Sequence, residues 1–234
     1  MGLFDIFKKK TPKENKTEST TLESLFNTPL IMRDDIWGKE FNQIIKNQKF
    51  SKISDKFLED ENEMKYLNLY IDSNSNNSIN HYISSCLENG NGIYISNENK
   101  DYEWIFTFGD LIDFHLNETF YSNRISSPFC GEVIDTLFHN EETTIGQPSE
   151  NYLPEIAKKH ISNFLSTFGL QNIKIALIWW RKSNEITLAF EIVPQMFQSA
   201  NQDMLDSLLY YLKWYLPNYY NIIFIEGNEY FKKI

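Results

Sequence analysis

Residues 172–226 limit the fold most tightly, because two apolar strands, a long amphipathic segment and a third strand follow one another with almost no spacer. Apolar residues recur with period two from Ile173 to Trp179, and the residues between them are nearly as apolar. Two apolar faces are typical of a strand that is covered on both sides of its sheet. The sequence therefore predicts a central strand over 172–180.

A polar turn and a second alternating strand follow the central strand. Residues 181–184 are polar, and 185–193 alternate between apolar and polar side chains, which predicts a hairpin with one wetter face. Pro194 ends this strand and can open a helix, because a proline in the first turn gives up an N–H that has no partner there. The wide apolar stripe that follows predicts a helix over 195–216 and then a strand over 220–225.

The residues before 172 show the same order of elements. Patterning predicts a helix over 78–89, strands over 92–96 and 102–108, an apolar segment at 111–116 that fits either helix or strand, and a helix over 152–168. The sequence predicts an α+β fold with mostly antiparallel sheet or sheets and packed helices. Two pseudo-repeated α-β-β-α units are one arrangement of these elements, although residue identity between them is negligible.

The region from Thr119 to Glu150 is the least periodic part of the chain. Pro128, Gly131 and Pro148 punctuate it. We predict loop with short strands here. Because this region joins the two units, we expect a functional site to involve the irregular 109–150 segment.

Charge separates a short basic segment from a longer acidic one. The formal net charge is −10, yet five lysines and only two acids lie within residues 1–16. From residue 17 onward, 17 basic residues face 30 acidic ones, a balance of 17 − 30 = −13. We expect residues 1–21 to form a flexible basic tail and residues 22–234 a single α+β domain, with 22–148 and 149–234 as alternative subunits.

The acidic balance bears on the partner. It repels phosphate backbones and attracts basic surfaces, so we expect a protein partner and no nucleic acid. Two cysteines are too few for a disulfide framework and no leader pattern precedes the body, which predicts a cytoplasmic location. No apolar run approaches the ~18 residues that a membrane span needs. Residues 1–10 place three apolar side chains before three lysines, which leaves open a weak membrane-surface contact or a lightly docked terminus.

Common metal and nucleotide motifs are missing from the sequence, so we predict no cofactor and no metal site.

The candidate catalytic residues are Asp110, Asp113 and His115. On a helix the two aspartates share a face, and on a strand Asp113 and His115 do. Either pair could bind a divalent metal or act in acid–base catalysis. The favoured interpretation is structural: Asp110 caps a helix, Asp113 is solvated and His115 makes a local hydrogen bond. His160 lies on an apolar helix face, which predicts a hydrogen-bonded core histidine.

The sequence has 18 Phe, 13 Tyr and 5 Trp, which are too many for all of them to lie in the hydrophobic core. Several crowd one end of the last predicted helix. Aromatic side chains at a rim with acids nearby are typical of a protein-binding surface, and an ordinary core edge is the alternative. The predicted binding residues are Trp104, Tyr210, Trp214 and Tyr219. The acidic run at 59–63 is interpreted as a solvated turn.

The first ten residues, Met1 to Lys10, resemble the start of small bacterial cytosolic proteins, some of which are toxin-immunity proteins. The resemblance covers ten residues and implies no site residue. We expect a non-enzymatic cytosolic protein-binding protein with an acidic, aromatic-bearing surface, and a toxin-immunity protein is its most concrete version. The alternative is a metal-assisted or acid–base enzyme that uses the 110–115 segment.

Overall fold

The computed structural model describes residues 20–97, 99, 101–122, 124–138, 140–197 and 202–234. The predicted tail of residues 1–21 lies almost wholly outside these ranges, and the predicted membrane contact of residues 1–10 lies wholly outside them. The α-helices of the described residues are α1 (Leu22–Phe26), α2 (Asp35–Asn47), α3 (Ile79–Asn89), α4 (Phe108–Asn117), α5 (Glu155–Thr167) and α6 (Gln202–Tyr215). The strands are β1 (Phe50–Lys52), β2 (Leu58–Glu59), β3 (Lys65–Ile71), β4 (Gly92–Ser96), β5 (Glu103–Phe106), β6 (Phe129–Phe138), β7 (Glu141–Pro148), β8 (Lys174–Trp180), β9 (Glu185–Glu191), β10 (Asn221–Ile225) and β11 (Lys232–Lys233).

The strands form two sheets. The N-terminal sheet has the order β1-β3-β4-β5 with β2 beside β3, and the C-terminal sheet has the order β10-β9-β8-β7-β6 with β11 beside β8. Strands β3 and β4 are parallel, as are β9 and β10, and the other described pairs are antiparallel. The prediction of an α+β fold with mostly antiparallel sheets is confirmed.

Strand β8 is central, as its two apolar faces predict. Leu177 belongs to the main hydrophobic core, and Ile178 points to the opposite face, where a smaller cluster with Phe231 covers it. Strand β9 pairs with β8 in antiparallel register, with Leu177 opposite Leu188. The predicted hairpin is therefore confirmed, but its predicted wetter face is wrong: Thr187 and Ala189 on that face are buried, and Phe231 packs in the same cluster as Ala189.

The two α-β-β-α orders are present, and the two strands inside each unit pair in the same antiparallel way, β4 with β5 and β8 with β9. The strand that precedes each unit pairs differently. The strand before α3 is parallel to the strand after it, whereas the strand before α5 is antiparallel to the strand after it. Each unit also contributes to a different sheet. The repeat therefore extends to the order of elements and to the antiparallel pair inside each unit, but not to the strand that precedes it.

The predicted helix over 195–216 is wrong at its start. Pro194–Met196 forms a short 3-10 turn, and Phe197 then takes an extended backbone conformation with φ −108° and ψ 144°. Phe197 packs against the main core in this conformation. The α6 helix, whose described part begins at Gln202, follows this extended residue. Contact with the core thus overrides the helical pattern at this point.

The irregular 119–150 region contains a long hairpin, which corrects the prediction of loop with short strands. Strand β6 pairs with β7 from Phe129 opposite Pro148 to Phe138 opposite Glu141, with a shift in register after Cys130. Gly131 has φ +67° inside this shift. Because most β6 side chains are exposed, the strand lacks the apolar alternation that sequence patterning detects.

Helices α3, α4, α5 and α6 pack against one another beside the sheets. One close backbone approach is at Gly109 in α4, where an added Cβ would lie 2.0 Å from the carbonyl oxygen of Leu216, the residue after α6. Only glycine lets the two backbones come this near. No helix in the described ranges is both long and apolar enough to span a membrane.

Candidate functional site

A groove of about 520 Å³ lies where the β2–β3 turn meets the end of α3 and one face each of α5 and α6. Carboxylates and amides from the turn form one side of it. Aromatic side chains from α5 and α6 form the other side. The groove thus brings together the acidic run at 59–63 and the aromatic end of the last helix.

Asp60 builds the acidic turn. Its Oδ1 accepts hydrogen bonds from the backbone N–H groups of Asn62, at 2.9 Å, and Met64, at 3.0 Å. Glu63 takes a left-handed backbone conformation with φ 64°. Glu61 and Glu63 are exposed, and neither carboxylate has a hydrogen bond or ion pair with the part of the chain that the structure describes. The turn therefore presents two unpaired negative charges at the groove.

Side chains of α6 hold this turn in place. The Trp214 indole N–H donates to the Tyr66 hydroxyl at 2.8 Å, and that hydroxyl donates to Oδ2 of Asp60 at 3.0 Å. The Tyr211 hydroxyl donates to Oδ1 of Asn62 at 3.3 Å. Burial is the main cause that raises the pKa of Tyr66 above its ordinary value, so this hydroxyl keeps its proton. The groove is preorganised, because these bonds join its acidic and aromatic sides before any ligand arrives.

His160 of α5 also lines the groove. Its Nδ1 lies so close to Gly90 that an added Cβ there would be 2.5 Å away. Burial lowers the pKa of His160, while hydrogen bonds to the Leu87 and Glu88 carbonyls raise it by less. Its Nε2 is buried without a hydrogen-bond partner among the described residues. The expected core histidine is therefore half-buried and only partly satisfied.

The four predicted binding residues lie in different places. Tyr210 is exposed beside Tyr211, with ring centroids 5.8 Å apart, and Trp214 is half-buried in the groove wall. Tyr219 is outside the groove, and its hydroxyl donates to Oδ1 of Asp113 at 3.1 Å. Trp104 is only 7% exposed and packs in the main core, which corrects its placement on a surface.

Asp110 has the capping role that the structural interpretation predicts. Its Oδ2 accepts from the Thr107 N–H at 2.9 Å, and the Thr107 hydroxyl accepts from the Asp110 N–H at 3.1 Å. Burial, and to a smaller degree the neighbouring Asp113, raises the pKa of Asp110 to about 6. Its Oδ1 faces the Asn218 amide at 3.4 Å.

Asp113 is buried rather than solvated, which corrects the structural interpretation. Its carboxylate accepts from the Ser122 hydroxyl at 2.7 Å, the Ser122 N–H at 3.0 Å and the Asn117 amide at 2.8 Å, in addition to Tyr219. His115 is exposed and lines a separate depression with Lys46. The structure therefore brings the two aspartates together without His115. No cluster of three metal-ligating side chains occurs in the described ranges.

Sequence reasoning identified the acidic run and the helix-end aromatics, but not their contact. It missed Asn62 and Tyr66, which connect them, and it treated Glu61 and Glu63 as solvent-facing only. No local signal marks these residues, because their partners lie 148 and 149 positions away along the chain.

Comparisons with protein-family models, with curated proteins and with solved structures give no match for this chain. The fold and the groove define an α+β protein with a preorganised acidic and aromatic groove.

Proposed function

We propose that this chain is a non-enzymatic cytosolic protein-binding protein, and that its groove contacts a basic segment of the partner. A bacterial toxin-immunity protein is the most concrete version. The observation that carries the proposal is the pair of unpaired carboxylates, Glu61 and Glu63, in the same groove as the Tyr211 and Trp214 side chains.

Charge supports a basic partner. Lys65 also lines the groove, but the two carboxylates outnumber it and Asp60 belongs to the same turn. An unpaired carboxylate gains most from a cation that reaches it as water leaves the interface. The same charges repel phosphate, which disfavours nucleic acid as the main partner.

Aromatic side chains support a protein partner. Tyr and Trp carry much of the binding energy at protein interfaces, because they contribute a large apolar area and a polar tip. Tyr210 offers such an area at the surface, since 67% of it is exposed. Tyr211 and Trp214 are already held by hydrogen bonds, so binding costs them little conformational entropy.

Charge reversal tests the proposal. The tagged full chain is used to isolate a partner from its native cytoplasm, and the affinity of the purified partner is then measured by calorimetry. We expect the double variant Glu61→Lys, Glu63→Lys to weaken binding at least about tenfold, or about 1.4 kcal/mol. The control is Glu132→Lys with Glu185→Lys, which makes the same charge change at two exposed positions of the C-terminal sheet. Equal affinity for the two double variants would contradict the proposal.

A further inference from the structure

An apolar turn lies on the protein surface between α1 and α2. Its side chains are exposed to 79% for Leu30, 95% for Ile31 and 66% for Met32, and Ile36 in the first turn of α2 is exposed to 66%. Single exposed aliphatic residues are ordinary on a protein surface. Four of them within residues 30–36, each mostly exposed, indicate a surface that binds something.

The apolar turn is fixed to the body of the protein at both ends. Before it, the Thr28 carbonyl accepts from Nε of Arg33 at 2.9 Å, and the Arg33 guanidinium lies 4.5 Å from the Trp104 ring centroid. After it, Oδ1 of Asp34 accepts from two backbone N–H groups at the start of α2, at 3.0 and 2.9 Å. The exposed side chains therefore stand on a well-anchored backbone.

The backbone of the apolar turn also suits an environment without water. The Met32 N–H donates to the Pro29 carbonyl at 2.9 Å, and the Arg33 N–H donates to the Leu30 carbonyl at 3.1 Å. The Asp34 N–H donates to the Met32 carbonyl at 3.2 Å. A backbone group without a partner is costly in lipid, where no water can bind it. These bonds lower the cost of placing the turn among acyl chains.

The side chains of the apolar turn favour lipid over a protein partner. Binding energy at protein interfaces is concentrated in Trp, Tyr and Arg, whereas Leu is under-represented among such residues. Leu and Ile enter the apolar part of a bilayer readily. The one arginine beside the turn, Arg33, already lies against Trp104 and Trp37.

Charge near the start of the chain complements an anionic lipid surface. Residues 1–16 carry five lysines and two acids, a balance of 5 − 2 = +3, together with Leu3, Phe4 and Phe7. This segment leads into the five-residue helix α1, and the apolar turn begins shortly after that helix, at Leu30. One short amphipathic segment binds a membrane only marginally, and stable attachment needs a second signal. The apolar turn supplies such a signal close to the basic segment.

We propose that the apolar turn and the basic N-terminal segment together bind the surface of an anionic membrane. The turn contributes its aliphatic side chains to the acyl region, and the lysines of residues 8–16 contact the headgroups. Asp34 and Asp35 beside the turn repel anionic headgroups, so the preference for charge comes from the lysines. The groove is formed by other elements, so this inference is independent of the proposed function.

Co-sedimentation of the full chain with lipid vesicles tests the inference. One set of vesicles contains phosphatidylcholine alone, and the other contains phosphatidylcholine mixed with anionic phosphatidylglycerol. The bound fraction is measured against lipid concentration. We expect the mixed vesicles to bind at least about tenfold more tightly, and this difference to shrink as the salt concentration is raised.

A triple serine variant tests the apolar turn. It should bind the mixed vesicles at least about tenfold more weakly, because three aliphatic side chains no longer leave water. The changes are Leu30→Ser, Ile31→Ser and Met32→Ser. The matched control makes the same kind of change at exposed aliphatic residues of the two sheets, Ile53→Ser, Ile105→Ser and Leu137→Ser. Circular dichroism checks the fold of both variants, and the control should bind within about twofold of the unchanged chain.

A charge variant tests the basic segment. The changes are Lys8→Gln, Lys9→Gln and Lys10→Gln. Since each lysine near an anionic surface adds to the attraction, this variant should bind the mixed vesicles at least about tenfold more weakly. Its binding to phosphatidylcholine alone should stay within about twofold of the unchanged chain.

The outcomes are distinct. Weaker binding of both the turn variant and the lysine variant, with an unchanged control, supports the inference. Unchanged binding of the turn variant would overturn it, because the basic segment would then bind alone. Absence of binding to either kind of vesicle would also overturn it. If the turn variant then fails to bind the partner isolated from the cytoplasm, the apolar turn is a protein interface instead.

Discussion

Gly109 offers the sharpest test of the packing, because a single added methyl group must collide with backbone atoms. In Gly109→Ala the new Cβ would lie 2.0 Å from the carbonyl oxygen of Leu216 and 2.3 Å from its carbonyl carbon. Favourable contacts between such atoms begin near ~3.5 Å, so α4 and α6 would have to separate by about 1.5 Å. A backbone carbonyl cannot rotate away as a side chain can.

The magnitude follows from two opposing effects. Overpacking of a tight contact costs typically 1–3 kcal/mol, and a backbone collision belongs at the upper end, about 3 kcal/mol. Alanine regains about 1 kcal/mol over glycine inside a helix. We therefore expect Gly109→Ala to lower the free energy of unfolding by about 2 kcal/mol. For a chain of this length, this corresponds to a fall in Tm of about 4–8 °C.

Gly38→Ala is the matched control, since the same change is made in α2 with no atom within 4 Å of the new Cβ. It should raise the free energy of unfolding by about 0.5–1 kcal/mol. Urea unfolding of both variants, followed by circular dichroism, gives the two midpoints. If Gly109→Ala unfolds at the same urea concentration as Gly38→Ala, the close approach of α4 to α6 is refuted.

Three further predictions concern buried groups. The pKa of Asp110 is about 6 in the folded protein and ordinarily 3.8, so the protonated carboxyl stabilises the folded state fully below about pH 4. About 3 kcal/mol of unfolding free energy is lost as the pH rises through 6, and Asp110→Asn should remove this pH dependence from the urea midpoints. Asp113→Ala should lower the free energy of unfolding by about 3 kcal/mol in the same assay and Tyr219→Phe by about 1 kcal/mol, because the first change removes every hydrogen bond of that carboxylate and the second removes only one. Equal losses for the two variants would contradict this prediction. In the native chain a thiol reagent should label exposed Cys130 and spare Cys86, which is 2% exposed and whose pKa burial raises to about 12; fast labelling of both thiols would be inconsistent with this core.

Elements with a strong apolar pattern along their own length were predictable from the sequence. The helix predicted over 78–89 is found at Ile79–Asn89, and Gly90 ends it in a left-handed conformation with φ 69°. The central strand β8 is found at Lys174–Trp180. In these elements the apolar period and the stop signal lie within one short segment, so local information is sufficient.

Elements that depend on distant contacts were not predictable in the same way. Strand β6 is exposed along most of its length and forms through its pairing with β7, so its residues carry little alternation. Phe197 is not part of the predicted helix, because it packs against the core in an extended conformation. For Asp113, residue spacing gave no sign of the donors at Ser122 and Tyr219 that make its burial tolerable.

The candidate site was likewise predictable from the sequence only in part. The sequence by itself determined that an acidic run occupies 59–63 and that aromatic residues gather at the end of α6. Only the tertiary structure decided that Tyr211 reaches Asn62 and that Trp214 reaches Tyr66, across 149 and 148 positions of chain. The physical reason is that such contacts arise from packing of the whole core, which brings α6 beside the turn, and no short-range pattern encodes that meeting.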